Sequence, residues 1–267
     1  LQAGLARMER EGRTDPLAHA DSRPPIVEIE AVNRAIFFAE QTDGWVHIVH
    51  LSAAGAADLV AAAKARGVRV TAETCPQYLA LDLDDLRRLG PFAKCAPAIR
   101  SRDDVEALWG FLADGTLDCV TSDHCGFTSS SKEAGRENIW DAPNGLPGIQ
   151  TLLPIVISEG LRRGFSWERI AEVTAAAPAR LWRIDDRKGA IRIGADADLA
   201  LVDPNAATRV TADGLFQTQK WSPFEGAEFA GRVVRTILRG TTIFTADPEP
   251  AVTVEPGFGR FLAARPV

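Results

Sequence analysis

Along the first two thirds of the chain the apolar positions switch between two spacings. Stretches with helical spacing, IVEIEAVNRAIFFAEQ (26–41), AAGAADLVAAAKARG (53–67) and SRDDVEALWGFLADG (101–115), alternate with short β-branched runs. Those runs are GWVHIVHLS (44–52), VRVTAET (68–74) and LDCVTSDH (117–124). GWVHIVHLS is apolar on both faces, as a parallel strand covered by helices requires. The order predicts βαβ units and a parallel sheet. Polar residues collect just after the strands: His50 and Ser52, Glu73 and Thr74, Asp123 and His124. Chemistry in parallel α/β folds sits at these C-terminal strand ends.

After about Arg183 the pattern changes. KGAIRIGADADLALVDP, ATRVTA and GRVVRTILRGTTIFTA read as short alternating strands broken by Gly, Asp and Pro, which predicts a small β domain. The closing PEPAVTVEPGFGRFLAARPV is rich in Pro and Gly and is expected as an arm against a neighbouring molecule. The organisation expected is therefore 1–186, 187–246 and a C-terminal arm at 247–267. The opening LQAGLARMEREGR reads as the interior of a helix without a cap, so the chain is expected to begin inside a larger protein.

A net charge of −6, with 25% charged and 46% hydrophobic residues, is ordinary globular composition. It gives no sign of nucleic-acid or membrane-surface binding. No apolar run reaches transmembrane length. Cys75, Cys95, Cys119 and Cys125 form no C-x-x-C pair and are expected as reduced thiols in a cytoplasmic protein.

The histidines are His19, His47, His50 and His124. His50 and Asp123 each end a separate buried strand, and imidazole nitrogen and carboxylate oxygen are ligands for Zn²⁺ and similar ions. The competing reading is a hydrogen-bonded polar strand end. Side chains alternate along a strand, so His47 and His50, three apart, should face opposite sides. Asp123 and His124 are opposed in the same way. Glu73 is read as a structural hydrogen bond or ion pair before a site residue. Cys125 adjoins the same strand end as a pocket-lining thiol. PNGLPG (143–148) is either a tight turn or a loop whose free backbone groups grip a polar ring.

Together these stretches resemble the hydantoinase and dihydropyrimidinase branch of the cyclic amidohydrolases. EGRTDPLAHADSRPP, VHIVHLS, VTAETCPQYLALD, KCAPAIRS, VTSDHCGFTSSSKEAGRENIWDAPNGLPGIQ and KGAIRIGADADLALVDP occur in the family's order. WSPFEG followed by TILRG is similar to allantoinases and dihydroorotases. The resemblance implies an α/β fold: the C-terminal part of a TIM (β/α)8 barrel of the amidohydrolase type, followed by a small β-sandwich segment. It implies His50 and Asp123 as metal ligands, with Asp123 also the catalytic proton shuttle. His47 and His124 match positions without a ligand role. Ala96 and Asn144 match positions whose backbone groups hold the substrate's amide ring.

The implied activity is metal-dependent hydrolysis of a small cyclic amide, a hydantoin or dihydropyrimidine ring, by a metal-bound hydroxide. Allantoinase or dihydroorotase activity is the alternative, and an inactive fragment or non-catalytic scaffold relative is the other. The implied cofactor is a pair of divalent metal ions, Zn foremost, bridged by a carbamylated lysine. The family's H-x-H pair, that lysine and a further histidine have no counterpart here, so they are expected from a missing N-terminal part. A homo-oligomer, tetramer or dimer, is expected, with no nucleic-acid or membrane partner.

Overall fold

The computed structural model describes residues 1–266; Val267, the last residue of the expected arm, lies outside the described residues. Contacts divide the chain into two units, Leu1–Leu152 with Thr211–Glu225, and Leu153–Val210 with Gly226–Val267.

The first unit is helices around a short parallel sheet. Helices α1 (Gln2–Arg10), α2 (Pro16–Asp21) and α3 (Pro25–Thr42) lead to strand β1 (Val46–Ile48). Helix α4 (Ala54–Ala65) crosses to β2 (Val70–Thr74), and α5 (Pro76–Ala80), α6 (Leu83–Leu89) and α7 (Arg102–Asp114) cross to β3 (Cys119–Val120). The strand order is β1-β2-β3, all parallel. Val46 stands opposite Val70, and Glu73 opposite Cys119.

The helix ends follow local chemistry. Ser101 caps α7 by accepting from Asp104 N, and Asp104 returns the bond in a capping box. Gly115, at φ +88, closes α7 in the left-handed conformation that a side chain resists. Trp109, Leu108, Leu112 and Leu117 are buried beneath the sheet's second crossover, and the Trp109 indole donates to Leu79 O at 2.9 Å.

The strands are shorter than their hydrophobic patterns. The run expected at 44–52 stops pairing as a strand at Ile48, and His50 turns to φ +43. The run expected at 117–124 keeps only Cys119–Val120, and Asp123 turns to φ +41. Alternation ends where the backbone leaves the extended region, so face parity does not fix the direction of His50 relative to His47.

The chain enters the second unit within α9 (Ile149–Arg162). A continuous helical run follows: α10 (Trp167–Ala171), a π-helical segment Glu172–Ala176, and α11 (Ala177–Leu181). Strands β4 (Leu199–Arg209), β5 (Glu228–Leu238), β6 (Thr241–Thr245) and β7 (Ala251–Val252) form an antiparallel sheet in that order. Arg239 and Gly240, at φ +51 and +79, supply the two left-handed residues that a tight β5–β6 hairpin needs. KGAIRIG, expected as strand, is irregular: Gly189 and Gly194 have positive φ, and Ile191 and Ile193 are fully open to solvent. Within the expected arm, Ala251–Val252 pairs with β6.

A buried ion pair fixes α3 to the segment after β1. Glu28 accepts from Ser52 N at 2.7 Å, Ala53 N at 3.1 Å, the Ser52 hydroxyl, and Arg100 Nη2 at 3.0 Å. Arg100 also donates to Ser52 Oγ at 3.0 Å and to Arg23 O. Both side chains are about a tenth exposed or less. Removing one partner leaves a buried charge uncompensated. Glu28→Ala is expected to lower stability by about 3–5 kcal/mol, measured by denaturant unfolding, while Glu28→Met with Arg100→Met costs much less.

Candidate active site

The sheet's polar face is used up internally. His47 Nδ1 meets Thr71 Oγ1 at 2.8 Å, and its Nε2 lies 3.1 Å from Glu73 Oε2. Glu73 Oε1 accepts from Thr121 Oγ1 at 2.6 Å. Glu73 is thus the structural residue that one of its two readings expected, and His47 belongs to the same network. His124 is also structural: its Nδ1 accepts from Gly148 N at 3.2 Å and Ile149 N at 3.4 Å, at the start of α9.

His50 and Asp123 differ from these. Each takes a left-handed backbone that costs a non-glycine residue free energy and persists where surroundings hold it. Leu51 N donates to Glu73 O at 2.8 Å and Thr74 Oγ1 to Leu51 O at 2.8 Å, which pins the chain after His50 to the end of β2. Thr121 N donates to Thr74 O at 2.9 Å, which does the same before Asp123. His50 Nδ1 is buried with no hydrogen-bond partner. Asp123 is exposed and its carboxylate has no partner among the described residues. His50 also borders an apolar cleft of about 430 Å³ beside β1, walled by Val27, Ala31, Ala35 and Pro97.

Ala96 and Asn144 come from two irregular segments that run beside Asp123. His124 bridges to Leu146, and Cys125 N donates to Leu146 O at 2.9 Å. Gly145, at φ +137, lies so close to Cys125 that an added Cβ would sit 2.5 Å from its sulfur. Gly145 N donates to Lys94 O at 3.0 Å, which joins the Asn144 segment to the Ala96 segment. Burial and then the charge of Asp123 raise the Cys125 thiol. Asp123, Ala96 and Asn144 therefore converge. His50 stands two strands away in the sheet. Among the described residues no three His, Cys, Asp or Glu side chains are grouped to hold a metal ion.

Three buried bases here escaped the sequence reading. His19 is fully buried and its Nε2 meets Cys95 O at 2.8 Å. Lys94 Nζ donates to Ile139 O at 2.8 Å and to Ala142 O. Lys132 Nζ donates to Lys94 O and Pro143 O, both at 2.9 Å. Burial pulls both lysines down to about 8. The only sequence signal was their place inside KCAPAIRS and SSSKEAGR, since lysine type points to the surface.

Comparison with known proteins follows the same outline. The Amidohydrolase family model matches residues 18–243. An allantoinase of Rubrobacter xylanophilus is 45% identical over 233 residues, 87% of this chain and 51% of the relative. An L-hydantoinase of Paenarthrobacter aurescens is 35% identical over 266 residues, 99% of this chain and 57% of the relative. The solved L-hydantoinase (dihydropyrimidinase) from Arthrobacter aurescens superposes with a TM-score of 0.93 at 36% identity, covering 98% of this chain and 58% of that one. The chain thus spans about half the length of the curated relatives it matches.

His19 gives this region a pH dependence. Burial, only partly offset by the Cys95 carbonyl, pushes its pKa from 6.5 down to about 3. The folded state keeps it neutral while the unfolded chain takes up a proton below about 6.5, so stability is lost as pH falls from there toward 3. Denaturation midpoints measured across that range should fall, and His19→Gln should flatten the slope.

Proposed function

The chain belongs to the amidohydrolase family, and from that premise we propose that it forms the part of a cyclic-amide hydrolase that carries the proton shuttle and the ring-holding backbone. In this reading the three parallel strands are the closing part of a (β/α)8 barrel and β4–β7 are part of a β-sandwich. The barrel part would run over 1–186, the sandwich part over 187–246 and an arm over 247–267.

The observation that carries the reading is the pair of strained strand ends. His50 offers a buried nitrogen without a partner, and Asp123 an unengaged carboxylate. These are two donors of the type divalent metals take, Zn foremost. The remaining ligands, including a bridging carbamylated lysine, would come from outside this chain. A metal bound there would supply polarisation of the amide carbonyl and acidification of water.

The chain's own residues do the rest. Asp123 accepts the proton of the attacking water and returns it to the leaving ring nitrogen. The main-chain groups at Ala96 and Asn144, both exposed and without a hydrogen bond among the described residues, orient the ring's amide. The substrate class is a small cyclic amide, hydantoin or dihydropyrimidine, with allantoin and dihydroorotate as the neighbouring rings. In this reading the enzyme works in the cytoplasm as a homo-oligomer, a tetramer or dimer.

In the complete metal-loaded enzyme, Asp123→Ala should abolish opening of hydantoin, dihydrouracil and allantoin, followed by product formation. Turnover retained by that variant would sink the mechanism. His50→Ala should lower the metal bound per chain in elemental analysis.

A further inference from the structure

Lys132 has no role in the chemistry above, yet it is entirely buried. It sits on α8 (Ser129–Glu133), a single turn whose start is fixed by Thr128 Oγ1 accepting from Ser131 N. Its hydrogen-bond partners are main-chain carbonyls, Lys94 O and Pro143 O, each at 2.9 Å, and the Trp221 ring centroid lies 5.8 Å from the ammonium. Among the described residues no carboxylate pairs with it. A buried ammonium is costly, and an apolar side chain of similar volume would fill the same space without that cost. Packing alone does not account for a lysine here.

The two carbonyls have a particular address. Lys94 lies two residues before Ala96, and Pro143 one residue before Asn144. We propose that Lys132 is a positioning residue for ring binding: by holding both carbonyls on one ammonium, it sets the separation between the backbone groups at Ala96 and Asn144. This rests on the reading of those two positions as ring contacts.

The surrounding bonds fit that role. Lys94 O also accepts from Gly145 N at 3.0 Å, so this carbonyl is joined to the Asn144 segment directly as well as through Lys132. Lys94 Nζ ties back to Ile139 O and Ala142 O. The carbonyls next to Ala96 are held as well: Cys95 O by His19 at 2.8 Å and Pro97 O by Tyr78 OH at 2.8 Å. Each exposed apex is therefore flanked by fixed neighbours, and two bonds from one nitrogen couple the apices to each other. Pre-set backbone groups lower the cost of orienting a ligand, and a shift of about 1 Å costs on the order of 10²-fold.

The test uses the complete metal-loaded enzyme with the ring it opens best. Lys132→Met should keep the metal content and raise KM, with kcat/KM falling roughly 10²-fold. Lys132→Ala should regain part of that loss when ethylammonium is added to the assay. Lys64→Met, which breaks the Lys64–Asp118 ion pair away from the site, serves as the stability control and should leave KM unchanged. A folded Lys132→Met enzyme with unaltered KM overturns the proposal. If that variant does not fold, failure of ethylammonium to lower KM in Lys132→Ala overturns it. Absence of ring opening by the unsubstituted enzyme is a different result, which removes the functional reading itself.

Discussion

A carbonyl buried in an irregular segment must find a donor, because no neighbouring strand or helical turn supplies one. In the first unit that obligation falls on side chains. His19, Tyr78, Lys94 and Lys132 reach carbonyls at residues 94, 95, 97, 139, 142 and 143. Once those are satisfied, Ala96 and Asn144 remain at the exposed turns with main-chain groups that have no hydrogen bond among the described residues. These exposed groups are the remainder of an internal accounting, which is why their placement depends on buried side chains that never reach the surface.

The sheet repeats this division between spent and unspent polar groups. His47, Thr71, Glu73 and Thr121 meet across the sheet and tie its strands together. One or two residues further on, His50 and Asp123 leave the ladder with groups unengaged. The same short strands thus hold an engaged layer of polar groups below and an unengaged one above, separated by the point at which extended backbone stops.

Much of this was legible in the sequence. The helices at 25–42, 54–65 and 102–114 follow their apolar spacing to within a residue or two, because periodic burial and caps are local properties. His50 and Asp123 stood out because a polar residue at the end of a buried run is conspicuous. The strand ends did not: Val49 and Leu51 continue an apolar pattern across a backbone that has already turned. The buried lysines were hidden for a related reason. Their carbonyl partners lie 38, 45 and 48 residues away, or on a loop eleven residues on, and composition carries no trace of such pairings. KGAIRIG misled in the opposite direction, since its alternating isoleucines meet solvent on every side.

The left-handed backbone at His50 and Asp123 also narrows how such a protein can drift. Outside glycine, the residues that enter that conformation most readily are Asn, Asp and His. The list that the chain geometry tolerates overlaps the list that ligand chemistry favours. If Asp123 has the proposed role, a lineage that lost the reaction could exchange it for Asn or Gly without adding backbone strain. Decay of activity in this architecture would therefore leave little mark on folding, and an inert descendant would look structurally sound.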